Sequence, residues 1–148
     1  MNVSRSALLP YSDTQIFDVI TDVRSYPAFL NWCTGMELLE ESEQEMIATL
    51  TIAYRKLNFS FTTRNTMQQH HTVTMELVRG PFSQLRGLWQ IQALSETACK
   101  VSLAMDFEFE NRLTQRLMGR VFENIVSTQL DAFNRRAAQL YGGQYAQN

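Results

Sequence analysis

Three arginines in the last third of the chain, Arg112, Arg116 and Arg120, recur at steps of four. On a helix this spacing places them in a column along one face. Guanidinium groups in such a column can bind phosphate oxygens, which is the chemistry of a nucleic-acid contact. The commoner situation is a solvated face on which glutamates such as Glu123 balance the arginines. The spacing alone leaves both interpretations open.

The other residues that often carry chemistry are not arranged for it. His70 and His71 are adjacent, so on a strand they would point to opposite faces, away from any shared metal ion. Cys33 and Cys99 have no CxxC partner, and we expect buried thiols. No stretch resembles a Ser-His-Asp arrangement, a P-loop or a dinucleotide-binding motif. We therefore expect no catalytic residue, no metal site and no required cofactor, and interpret the chain as non-enzymatic.

The stretch SYPAFLNWCTG gathers large apolar side chains around a proline. Tyr26, Phe29, Leu30 and Trp32 are too many for an ordinary surface loop, and Pro27 sets the direction of the chain between them. One hypothesis is that these five residues form the mouth of a ligand cavity, because Tyr and Trp suit sites with one apolar and one wet end. The alternative is that they only attach short helices to the rest of the fold.

The first third of the chain predicts a strand and two short helices. Residues 3–9 are typical of a strand, and Pro10 ends it. Ser12 and Gln15 have the spacing of a capping box at the start of a helix. A second short helix is predicted to begin near Asp22 and to lead into the aromatic stretch.

The rest of the chain predicts an antiparallel meander followed by one long helix. Five runs alternate apolar and polar residues, over 46–54, 57–62, 72–77, 85–91 and 99–109. From Asn111 the period becomes helical, with Leu113, Leu117, Val121 and Ile125 at steps of four. This helix is predicted to reach Tyr141. We expect an α+β domain over residues 1–141, with a flexible tail over 142–148.

A curved sheet of about six or seven strands with one apolar face must cover that face, and the terminal helix is long enough to do so. The two short helices then form a lid over the wedge between sheet and helix. The candidate lining of this wedge is the set of apolar residues predicted to face it: Phe59, Phe61, Met75, Trp89, Met105, Phe107, Val121 and Ile125. Either they surround a ligand cavity, to which adaptable methionines would be suited, or they fill a solid core.

Composition limits the partners. A hydrophobic share of 45%, a charged share of 19% and a net charge of −2 are typical of a globular protein and give no indication of DNA binding. The N-terminus lacks the apolar core of a secretory signal, and no apolar run reaches the roughly 18 residues of a membrane span. We predict a cytoplasmic protein, with peripheral contact to the inner membrane left open.

Three motifs together resemble one family. They are DVRSYPAFLNWCTG (22–35), GPFSQLRGLW (80–89), and DFEFENRL (106–113) followed by GRVF (119–122). The pattern, which extends over residues 3–141, is similar to that of the RatA and coenzyme Q-binding family of polyketide-cyclase-type domains in the START-like helix-grip superfamily. Asn31 departs from it, because many members carry proline there.

The resemblance implies a helix-grip fold and two main functions. Coenzyme Q-binding members hold an isoprenoid quinone in the cavity and support respiration, so the first hypothesis is a non-enzymatic binder of ubiquinone or a related lipid. RatA-type members bind the large ribosomal subunit and inhibit translation initiation, in which case the arginine column Arg112, Arg116 and Arg120 would contact ribosomal phosphates. A cyclase or dehydratase, suggested only by the superfamily name, is the third.

Overall fold

The computed structural model describes residues 1–55 and 57–142. Its elements are, in chain order, β1 (Asn2–Leu9), α1 (Asp13–Thr21), a 3₁₀ turn (Val23–Ser25), α2 (Tyr26–Phe29), β2 (Cys33–Glu41), β3 (Glu45–Tyr54), β4 (Leu57–Gln68), β5 (Thr72–Arg79), β6 (Phe82–Ser95), β7 (Ala98–Phe109), α3 (Arg112–Ser127), α4 (Gln129–Ala137) and a π-type turn (Ala138–Gly142). The strands form one antiparallel sheet in the order β1-β7-β6-β5-β4-β3-β2. The predicted α+β helix-grip class is confirmed. The predicted tail lies outside the described residues except for Gly142.

Helix α1 begins at the predicted capping box. The Ser12 hydroxyl accepts from the amide of Gln15 at 3.1 Å, and the Gln15 side chain accepts from the amide of Ser12 at 3.0 Å. The apolar stripe that follows, with Ile16, Val19 and Ile20 all buried, holds the helix against the sheet. Local sequence and tertiary packing therefore agree here.

The meander has one strand more than its alternating runs predict. The extra strand, β2, pairs only with β3 and forms one edge of the sheet, while β1 pairs with β7 and forms the other. Its glutamates are exposed, and only Cys33, Met36 and Leu38 pack against the core, so the apolar alternation of β2 is weak. Charged residues are typical of an edge strand, where they discourage pairing with other chains.

The long terminal helix is present, but it is divided into α3 and α4. The two segments meet at Thr128, whose backbone lies at φ −98° and ψ 0°. The hydroxyls of Ser127 and Thr128 accept no helix amide; instead they donate to the carbonyls of Glu123 and Asn124, at 2.8 and 3.1 Å. Such bonds to the carbonyl four residues earlier often bend helices. The break places Gln129 at the start of α4.

The predicted apolar stripe of α3 is wrong at its N-terminal end. Leu113 and Leu117 are 66% and 61% exposed, whereas Phe122, Ile125 and Val126 are buried against the sheet. Each step of four residues advances about 400° around a helix, so it drifts by about 40°. Three such steps separate Leu113 from Ile125, and they place the two side chains on different faces.

The core under α3 is a phenylalanine cluster, which we define as six rings contributed by the sheet and the helix. Its members are Phe59, Phe61, Phe82, Phe107, Phe109 and Phe122. The tightest contacts have ring centroids 4.5 Å apart for Phe82 and Phe109, and 4.8 Å apart for Phe107 and Phe122. Offset and edge-to-face pairs of this kind stabilise a core beyond their buried area.

Candidate ligand cavity and basic helix face

An apolar cavity lies between the sheet and the C-terminal helices, beside the phenylalanine cluster. Its volume is about 70 Å³, and most of its wall is apolar. The 3₁₀ turn and α2 cover one side of it through Val23 and Tyr26. The predicted lid is therefore observed for the second short helix, whereas α1 contributes no residue to the lining.

Seven of the predicted site residues line this cavity together. They come from the aromatic stretch, the sheet and α3: Tyr26, Trp32, Phe61, Met75, Trp89, Met105 and Ile125. The sequence pattern therefore identified both the lid and the inner sheet face, which sit far apart in the chain. That these residues bind a ligand stays a prediction.

Three predicted lining residues lie elsewhere in the core. Phe59 and Phe107 belong to the phenylalanine cluster, where Phe107 is fully buried. Val121 is half-buried on α3 and does not line the cavity. The alternation of a strand predicts which side chains point inward, but it does not predict how the inward space is divided between a core and a cavity.

Three residues of the predicted mouth also lie outside the cavity. Pro27 is exposed at the start of α2. Phe29 and Leu30 line a surface groove of about 270 Å³ that runs along α4. Phe29 also contacts Phe133 of α4, with ring centroids 5.7 Å apart, and Arg136 lies over its ring at 5.1 Å. This part of the stretch therefore attaches the lid to α4.

The other lining residues, among them the polar ones, are not predicted from the sequence pattern. They are Val23, Ala48, Leu50, Thr63, Asn65, Leu85, Leu103, Phe122, Val126, Gln129 and Phe133. The predicted run over 57–62 stops at Thr62, although β4 continues to Gln68 and keeps alternating inward and outward side chains. Thr63 and Asn65 point inward but are polar, so an apolar pattern does not indicate them, whereas the strand's period of two does.

Two side-chain hydrogen bonds involve the polar lining. The Thr63 hydroxyl donates to Oδ1 of Asn65 at 2.9 Å, and Nε1 of Trp32 donates to Oε1 of Gln129 at 3.1 Å. The Tyr26 hydroxyl donates to the main-chain carbonyl of Ile20. Burial, with the Asp22 carboxylate nearby, raises the pKa of Tyr26 well above its ordinary value, so this hydroxyl is a fixed donor.

The lining offers little for acid–base chemistry. Tyr26 is the one titratable group among the lining residues that the structure describes. Asp106, on β7, faces outward and accepts a hydrogen bond from Gln84 at 2.8 Å. The lining is therefore an apolar wall with a few hydrogen-bonding groups, and it holds no carboxylate, imidazole or amine among the described residues.

Gly87 gives room to the two methionines of the lining. A Cβ built there would overlap the Met75 methyl and lie 3.0 Å from the sulfur of Met105. Both side chains pack against the bare backbone of β6 at this point. Because methionine changes rotamer at little cost, this wall of the cavity can adapt its shape.

The outward face of α3 carries the arginine column. Arg112, Arg116 and Arg120 are exposed, and they make no ion pair with any residue that the structure describes. The balancing by neighbouring glutamates is therefore not observed. The exposed leucines Leu113 and Leu117 lie on the same half of the helix. This combination leaves three cations free for an anionic partner.

Both cysteines are buried free thiols, as expected. Burial raises the pKa of Cys99 to about 11, and it also raises the pKa of Cys33, which donates to the carbonyl of Gly35. Neither sits in the electropositive surroundings that activate a nucleophilic thiol. Among the helices that the structure describes, none combines the length and apolar character needed to cross a membrane.

Comparison with known proteins identifies relatives over nearly the whole chain. Residues 9–134 match the family model described as polyketide cyclase/dehydrase and lipid transport. The ribosome association toxin RatA of Pseudomonas aeruginosa is 45% identical, with 95% of this chain and 98% of that protein covered. RatA of Escherichia coli is 39% identical, with 96% and 90% covered. The mitochondrial coenzyme Q-binding protein COQ10 homolog B of Xenopus laevis is 26% identical, with 95% and 59% covered.

Solved structures agree on the fold. The Zhui aromatase/cyclase of a Streptomyces species superimposes with a TM-score of 0.84 at 15% identity, and 94% of each chain is covered. A START superfamily protein of Mycobacterium smegmatis gives a TM-score of 0.76 at 17% identity, covering 94% of this chain and 98% of that one. At these identities the likeness concerns the fold alone.

Proposed function

The chain belongs to the RatA and coenzyme Q-binding family of START-like helix-grip domains, and on that premise we propose that it associates with the large ribosomal subunit and inhibits translation initiation. The observation that carries the proposal is the 45% identity to a ribosome association toxin over 95% of this chain. The relative with coenzyme Q in its name is far more distant, at 26% identity.

The arginine column is the surface we assign to this contact. A ribosome presents phosphates, and each lysine or arginine that neutralises one releases counterions and makes binding dependent on salt. Arg112, Arg116 and Arg120 are exposed and free of ion pairs within the described part of the chain, so no internal bond has to break before they bind.

The test is co-sedimentation with purified large subunits over a range of salt concentrations. Changing all three column arginines to alanine should weaken binding at least tenfold and flatten its salt dependence by about 2–3 units of logarithmic slope. The control variant removes three exposed cations from the sheet instead, by changing Arg79, Arg86 and Lys100 to alanine. Equal loss in both variants would mean that general charge, not the column, drives association.

A second function is the binding of ubiquinone or a related apolar lipid in the cavity, in support of respiration. The apolar wall with its two adaptable methionines favours it. The volume of about 70 Å³ holds about two waters at roughly 30 Å³ each, so such a ligand needs the cavity to open. Native mass spectrometry of the protein with added ubiquinone tests this function, and the absence of a bound quinone at saturation would reject it.

Cytoplasmic localisation, peripheral membrane contact and the absence of catalysis are part of the same proposal. The lack of acids and bases in the described cavity lining supports a binding role. Assays of cyclase or dehydratase turnover on polyketide substrates would detect the third alternative.

A further inference from the structure

The cavity and the surface groove along α4 meet at two side chains. Trp32 and Ile125 line both spaces, and Trp32 is almost completely buried between them. The groove measures about 270 Å³, against about 70 Å³ for the cavity. Joined, the two would reach the lower end of the range of small-molecule pockets, about 300–1,000 Å³.

The indole of Trp32 is held in this position by one polar contact. Its Nε1 donates to Oε1 of Gln129 at 3.1 Å, and Gln129 follows directly on the break between α3 and α4. The main chain of Trp32 is fixed separately, because its carbonyl accepts from the amide of Ala53 at 2.9 Å. A rotation of the Trp32 side chain alone therefore leaves this main-chain bond in place. A neutral hydrogen bond of this kind shifts an equilibrium by a factor of roughly 2–10.

One residue of the cavity lining carries a hydrogen-bond donor that has no acceptor among the residues that the structure describes. Asn65 is 8% exposed, and its Oδ1 accepts from Thr63, whereas its Nδ2 has no such partner. No fully buried side-chain nitrogen or oxygen in that part of the chain lacks a partner, so Nδ2 keeps accessible surface. Because the alternation of β4 turns Asn65 inward and Asn65 lines the cavity, we assign this surface to the cavity.

We propose that the cavity and the groove form one gated binding site, with the Trp32–Gln129 hydrogen bond as its latch. The ligand is a neutral apolar ring compound that carries a carbonyl oxygen, and this oxygen accepts from Nδ2 of Asn65. The rest of the molecule passes the turned indole into the groove. Met75 and Met105 shift to admit the ring. The inference rests on the second function above.

The chemistry of the lining selects this class of ligand. The described lining residues include no cation, so a carboxylate or phosphate inside the cavity would lose its hydration without a partner. A pure hydrocarbon would fit the apolar wall but would leave Nδ2 of Asn65 without its hydrogen bond. A neutral carbonyl compound satisfies both conditions.

The probe pair is 2,3-dimethyl-1,4-naphthoquinone and 2,3-dimethylnaphthalene, which share a ring system and differ in the carbonyl oxygens. Titration calorimetry gives affinities, and stopped-flow fluorescence gives rates, since both tryptophans of the chain, Trp32 and Trp89, line the cavity. We expect the native protein to prefer the quinone at least tenfold. Asn65→Leu should abolish this preference while still binding the hydrocarbon.

The latch is tested with Gln129→Leu, which should accelerate quinone association about three- to tenfold. Gln139→Leu, at an exposed position beyond α4, is the matched control and should leave the rate unchanged. If Asn65→Leu fails to fold, the double variant Thr63→Val/Asn65→Leu takes its place in the test, because it removes both partners of the buried hydrogen bond.

The outcomes separate the claims. No binding of either probe by any variant overturns the ligand function together with this inference. Binding without a preference for the quinone overturns the Asn65 subsite, and an unchanged rate in Gln129→Leu overturns the latch. Co-sedimentation of these variants with large ribosomal subunits should equal that of the native protein, since the arginine column is untouched, and it reports on the first function independently.

Discussion

At one end of the wedge between sheet and helix, six phenylalanine rings pack with neighbouring centroids no more than 6.5 Å apart. At the other end the lining combines methionines, two amide side chains and the aromatic lid, with Phe61 and Phe122 at the boundary to the cluster, and a cavity of about 70 Å³ remains. Both ends lie under the same C-terminal helices and on the same sheet. The difference shows that side-chain shape, with an unchanged backbone architecture, decides whether a helix-grip wedge is filled or keeps a cavity.

The largest expected loss of stability comes from truncating a single ring of the phenylalanine cluster. Phe107→Ala should lower the free energy of unfolding by about 3–5 kcal/mol, because Phe107 is fully buried in the cluster. Met75→Ala at the cavity end should cost about 1–2 kcal/mol, since that side chain is half-buried and already borders empty space. Urea unfolding of both variants measures the difference. Equal losses would mean that the two ends are packed alike.

The two glycines of the GPFSQLRGLW motif should also differ, with the larger loss of stability at Gly80, beside the phenylalanine cluster, and the smaller at Gly87, beside the cavity. Gly80 lies at φ 152°, and a Cβ there would be 2.8 Å from Cβ of Phe61 and 3.3 Å from its Cα. Because Cα of Phe61 belongs to the backbone and Cβ is attached to it rigidly, neither atom can move freely, and Gly80→Ala should cost about 2–3 kcal/mol. A Cβ at Gly87 meets only the ends of Met75 and Met105, so Gly87→Ala should cost about 1 kcal/mol. Thermal unfolding distinguishes them, and the reverse order would contradict the adaptable methionine wall.

Substitutions in the hydrogen-bonded pair Thr63 and Asn65 should change the free energy of unfolding by a smaller amount, and the two changes should not add. Asn65→Leu leaves the Thr63 hydroxyl without its acceptor, and it should destabilise the fold by about 1–2 kcal/mol. The double variant Thr63→Val/Asn65→Leu should recover about 1 kcal/mol, because both buried polar groups are then gone. The check is a double-mutant cycle by chemical unfolding. Additive losses would show that the two side chains do not interact.

The smallest expected effect is a dependence of stability on pH. It concerns Cys99, a buried residue outside the cavity at which β7 pairs with β1. Burial raises its pKa from the ordinary value of 9.0 to about 11, so the folded state retains a proton that the unfolded state loses. The stabilisation is complete below pH 9 and declines as the pH rises towards 11, and the loss is about 1 kcal/mol near pH 9.5.

Unfolding of the native protein and of Cys99→Ala between pH 7 and 10 measures this loss. The free energy of unfolding of the variant should fall less steeply with pH than that of the native protein, although Cys33 and Tyr26 still titrate in both. Parallel curves would indicate that Cys99 is hydrated, and that this end of the sheet is as open as the cavity end.

Much of this architecture follows from local sequence. The capping box of α1, the alternating strands and the long terminal helix were predicted from spacing alone, because each depends on backbone periods of 3.6 or 2 and on short-range hydrogen bonds. Two elements escaped such reasoning. Strand β2 contributes only Cys33, Met36 and Leu38 to the core, which is a weak apolar face. The helix break at Thr128 depends on two hydroxyls that donate back to main-chain carbonyls.

The order of residues along the chain specifies which side chains are apolar, which strands have an inner face, and that three arginines follow one another along a helix. The packed fold is needed to see that Leu113 and Leu117 face outward, that Phe107 belongs to a core while Met75 borders a cavity, and that Trp32 meets Gln129, 97 residues away along the chain. A backbone period specifies the direction of a side chain, whereas close packing among side chains distant in sequence specifies what space is left between them.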